Sequence, residues 1–87
     1  MPDTWKEKLQ SALKANAKAH KAIEKIKDKQ IQKDIGFDLA NNLADLEPLT
    51  WQPQLDADAQ RTITIALEYL DNLHTHLLDQ GIISPDD

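Results

Sequence analysis

The chain has 87 residues and no cysteine, which excludes disulfides, thiolate zinc sites and cysteine nucleophiles. Its 40% apolar and 29% charged residues fit one small globular domain over 1–87 rather than a disordered chain. The net charge of −5 conceals an asymmetry, because residues 1–33 hold nine lysines against four acids, +5, and the remainder sets Arg61 against eleven acids, −10. Such segregation marks an interaction arm or a pair of complementary surfaces.

Valine is absent and glycine occurs twice, so the composition favours helices over strands. The expected fold is all-α, a small three-helix bundle with helices at about 4–28, 30–47 and 56–80, the first two alternatively forming one bent helix. No stretch approaches the roughly 18 apolar residues of a membrane span. The opening residues lack the apolar core of a signal peptide, so the expected location is cytoplasmic.

Thr4-Trp5-Lys6-Glu7 reads as a capping box that starts the first helix. At about 100° per residue, Trp5, Leu9, Ala12, Asn16, Ala19, Ile23 and Ile26 share one face. Lys14, Lys18, Lys21, Lys25 and Lys29 form a ridge on the opposite face. The buried stripe is thin between Leu13 and Ile23, where mostly alanine is offered, so its hydrophobic contribution is modest.

A second stripe, Ile31, Ile35, Leu39, Leu43 and Leu46, would lie roughly 140° around a continuous helix from the first. One straight helix would then have to bury two faces. A break near Lys27–Gln30 resolves the conflict, with Gly36 as the alternative site.

Pro48 and Pro53 disfavour helical geometry at Glu47 and Gln52, which predicts an extended connection over 48–55. Trp51 is expected to tuck onto the core as a plug, with an exposed binding anchor as the alternative. Asp56 then caps a last helix, with Asp58 in its first turn. Ala59, Ile63, Ala66, Leu70, Leu73 and Leu77 keep a 4-3 spacing, the cleanest apolar seam in the chain, widened by Leu67 and Leu78. Gly81 and Ile82 read as the terminating cap, and 84–87 as a frayed tail.

The predicted core is Leu9, Leu13, Ile23, Ile26, Ile31, Ile35, Leu39, Leu43, Leu46, Ile63, Leu67, Leu70, Leu73 and Leu77. Set against the thin first stripe, self-association through the third helix would bury what is left over as a homodimer.

Catalytic and metal chemistry is not expected. His74 and His76 point about 160° apart on a helix, and His20 has no carboxylate at ligand spacing. Phosphate-cradling glycine loops and nucleophile-elbow patterns are missing. A chain of this size also leaves little expected room for a pocket of several hundred cubic ångströms. No enzyme activity, cofactor or metal is therefore predicted.

Two functional readings remain. The first is a small regulator, inhibitor or antitoxin- or immunity-like protein that binds an unidentified protein partner through helix faces. Its candidate surfaces are the basic face, Lys14, Lys18, Lys21, Lys25 and Lys29, and an acidic and aromatic face, Trp51, Glu68, Asp71 and Asp79. The alternative is nucleic-acid binding through the lysine ridge. That ridge carries no arginine to read bases and no interleaved aromatic to stack on them.

Overall fold

The computed structural model describes residues 4–84, which fold into three helices, α1 (Thr4–Ala22), α2 (Lys29–Leu46) and α3 (Ala57–Asp79). Among the described residues there is no strand, and the expected three-helix architecture is the one observed. Helix α1 is described from Thr4 onward, and 85–87 of the expected tail lie outside the described residues.

The first helix ends earlier than expected. After Ala22 it tightens into a 3-10 turn, Ile23–Lys25, and Ile26 then turns extended at φ −71°, ψ 126°. The Ile23 carbonyl accepts from the Ile26 amide at 3.0 Å and from the Gln32 side chain, also at 3.0 Å, which links this helix end to α2. Asp28 starts α2 by accepting from the Gln30 and Ile31 amides at 3.0 and 3.3 Å. The break therefore falls over Ile26–Asp28, within reach of the expected position, and Gly36 stays inside α2.

Folding back at this elbow lets both apolar stripes face one core. Asn16 meets Leu39 and Asn42, whereas Ile23 meets Gln32 and Gly36, so the two helices run antiparallel. Leu9, Ala12, Asn16, Ile23 and Ile26 are buried from the first stripe, and Leu39 and Leu46 from the second. Ile35 and Leu43 are half-buried, as are Leu13 of α1 and Leu67 of α3. Ile31, expected in the core, is instead 47% exposed. It stands in the first turn of α2, beside the elbow, where α1 has already ended.

The expected extended connection over 48–55 is half helical. Glu47–Trp51 continues α2 as a 3-10 turn with Pro48 at its start, where the missing N–H is not needed. Glu47 keeps helical angles, φ −54° and ψ −47°, so tertiary packing overrides the local bias imposed by Pro48.

This turn also overturns the plug assigned to Trp51. With about three residues per turn, Leu46 and Leu49 share the inward side and Trp51 is thrown outward. Leu49 is buried and Trp51 is 80% exposed. Leu55 closes the core beside it. Gln52, before Pro53, is extended as expected, at ψ 130°.

Helix α3 is capped by Asp56, whose side chain accepts from the Ala59 amide at 2.9 Å. Its whole seam, Ala59, Ile63, Ala66, Leu70, Leu73 and Leu77, is buried within the chain. Gly81 takes φ 72° and lets the Ile82 amide return to the Leu77 carbonyl at 2.9 Å, which ends the helix as expected.

Candidate interaction groove between the first and third helices

The alanines that thin the first stripe leave a space. Ala15, Ala19 and Ala22 recur once per turn beside the buried stripe of α1, and α3 presents Leu67, Leu70 and Leu77 opposite them. Short side chains facing long ones do not fill the seam on its outer side. A groove of about 410 Å³ remains open there, closed at the elbow end by Ile83. A space of this size was not expected from so short a chain. The expectation failed because the groove lies beside the core and takes nothing from it.

Lys18, Lys21 and Lys25 edge the groove along α1, while Asp71 and His74 edge it along α3. The structure thus gathers three of the five ridge lysines and one member of the acidic set. Lys14 stands exposed on α1 outside the groove, and Lys29 is carried away as the first residue of α2. Glu68 is exposed on α3, and Asp79 is its last residue. Trp51 precedes α3, whose last residue lies about 33 Å along the axis from its first. Trp51 and Asp79 therefore sit near opposite ends of the bundle and do not form one face with Asp71.

The charge halves of the sequence are brought side by side, since the lysine edge of α1 and Asp71 share one groove. His76 lies away from His74, in a second hollow of about 470 Å³ at the elbow with Ile26, Ile31 and Ile35. That hollow accounts for the partial exposure of Ile31. Among the described residues no group of three or more histidine, aspartate or glutamate side chains is placed to hold a metal ion. No helix among them is long and apolar enough to cross a membrane.

Two polar features support the scaffold around the groove. Asn16, buried in α1, donates to the Leu39 carbonyl at 2.9 Å and to Asn42 Oδ1 at 3.1 Å, tying α1 to α2. Tyr69, half-buried on α3, has its phenol pushed above the ordinary value by burial and then by the negative charge of Asp38. Asp38 belongs to α2, so its charge reaches Tyr69 from the neighbouring helix.

Sequence reasoning missed His74 and Ile83 as groove residues and read the alanines only as a weak stripe. The available signal was the pairing of Ala15, Ala19 and Ala22 with Lys18, Lys21 and Lys25 at the same one-per-turn repeat. Large apolar side chains outside the groove also stay exposed: Phe37 at 68% and Ile65 at 60%.

Fold and site together define a small all-α three-helix bundle carrying an open, charge-edged apolar groove. No family model, curated protein or solved structure matches the chain.

Proposed function

We propose that this protein is a non-enzymatic protein-interaction module, a regulator or inhibitor of the antitoxin or immunity kind, that takes part of a protein partner into the α1–α3 groove. The observation that carries the reading is the groove itself, with a half-buried apolar floor of Ala15, Ala19, Ala22 and Leu67 between a lysine edge and Asp71. An apolar centre with a charged rim is the anatomy of a protein-binding surface. Nucleic acid would engage the lysines but would leave that apolar floor uncovered. The reading includes a cytoplasmic workplace, and self-association has no part in it because the α3 seam is covered within the chain.

The test is site-specific photo-crosslinking in cells that make the protein. A photoreactive residue replaces His74, on the groove wall, or Thr64, exposed on α3, as a control. The expected result is a reproducible protein adduct from position 74 and none from position 64. Adducts to nucleic acid from position 74, or equal yields from both positions, would overturn the reading.

A further inference from the structure

We infer that the occupant of the α1–α3 groove is an amphipathic helix carrying acidic side chains once per turn along the edge that meets α1. The inference rests on the protein-interaction reading and specifies its partner. Its first support is the floor. Ala15, Ala19 and Ala22 keep the α1 wall low, so a helix axis can approach to about 8–10 Å, and the half-buried Leu67 and Ile83 add to the alanines the apolar area it would cover.

The second support is the spacing of charge. Lys18, Lys21 and Lys25 follow the 3-4 repeat of a helix and span about 10 Å along it. Carboxylates repeating at the same interval on a second helix would each meet one lysine. A fatty acid would offer one carboxylate to three cations. A phosphodiester chain would offer many charges and no apolar edge. Asp71, alone on the far bank, favours a neutral or basic opposite edge on the incoming helix.

The experiment is an amide chemical-shift titration of the whole protein with two synthetic amphipathic helices. Both carry leucines along one edge, flanked at one-per-turn spacing by glutamates in one peptide and by lysines in the other. Decanoate and a single-stranded oligonucleotide are titrated in parallel. The glutamate peptide is expected to shift amides over 15–25 and 67–77, with affinity falling as salt rises.

Combining Lys18→Glu, Lys21→Glu and Lys25→Glu should weaken that peptide by about tenfold or more and let the lysine peptide bind instead. Circular dichroism checks that this variant folds, and Ala19→Leu, which fills the floor without touching charge, should weaken both pairings. Equal binding of the two peptides, shifts elsewhere on the protein, or decanoate or the oligonucleotide displacing the glutamate peptide would overturn the inference. A protein adduct from position 74 combined with failure of the charge-reversal series would sink only the acidic helix. A nucleic-acid adduct would sink both readings.

Discussion

Helices α1 and α3 border the same core yet fill it differently. Helix α3 turns Ile63, Leu70, Leu73 and Leu77 inward, all buried, whereas α1 answers with Leu9, Ala12 and Asn16 and sets Ala15, Ala19 and Ala22 beside them. One helix supplies most of the apolar area. The other supplies close approach, a polar lock and the groove. A weak stripe on a strong helix former is therefore no defect, because alanine keeps α1 helical while leaving surface for something else to cover.

Substitutions on each helix put this contrast to the test. Ile63→Ala, at a fully buried site of the α3 seam, should lower stability by about 3 kcal/mol in urea denaturation, within the range for large-to-small core changes. A loss below about 1 kcal/mol would mean that α3 is not the main source of core stability.

Asn16→Ala should cost about 2 kcal/mol, because it removes the donor to Leu39 and leaves Asn42 with a lost partner. If Asn16→Leu proves more stable than the parent, the polar lock serves register rather than stability. Ala19→Leu should raise stability by about 1 kcal/mol by adding apolar contact along the groove floor. A decrease instead would show that the α1–α3 seam is already closed to a larger side chain.

Gly36→Ala tests the other flank of α1. A Cβ there would sit 3.5 Å from Ile23 Cδ1, an ordinary contact, so the gain in helix propensity should dominate at about 0.5–1 kcal/mol.

The smallest effect is conditional on pH. The Tyr69 phenol is held above its ordinary value of 10.0 by burial and by Asp38, so above that pH the unfolded chain releases its proton first. Its contribution is complete below pH 10 and is lost as pH rises towards the folded value. Thermal melts of Tyr69→Phe should lose less stability than the parent over that alkaline window, with absorbance of the single tyrosine reporting its ionisation.

Most helix boundaries were legible because their signals are local. Asp56 caps α3 through its own side chain, and Gly81 ends that helix through a backbone angle that glycine adopts at little cost. The elbow was legible for a related reason, since two stripes about 140° apart cannot both be buried by one straight helix. The connection after α2 was not. Pro48 argued for extended chain, but burial of Leu49 drew the segment into a 3-10 turn and turned Trp51 to solvent.

Of the candidate site, the lysines were read as a ridge, and three of them do edge the groove. Their relation to Asp71 and His74 was hidden because α3 lies some fifty residues further along the chain, and periodicity places residues only on their own helix. The helices, the elbow and the inward-facing stripes could be read from the chain alone, because each is set within a few residues. Packing between helices set Ile31 and Trp51 outside the core and left an open groove where alanine faces leucine. It also decided that basic and acidic halves meet there, because each of these outcomes depends on what a distant segment brings to the contact.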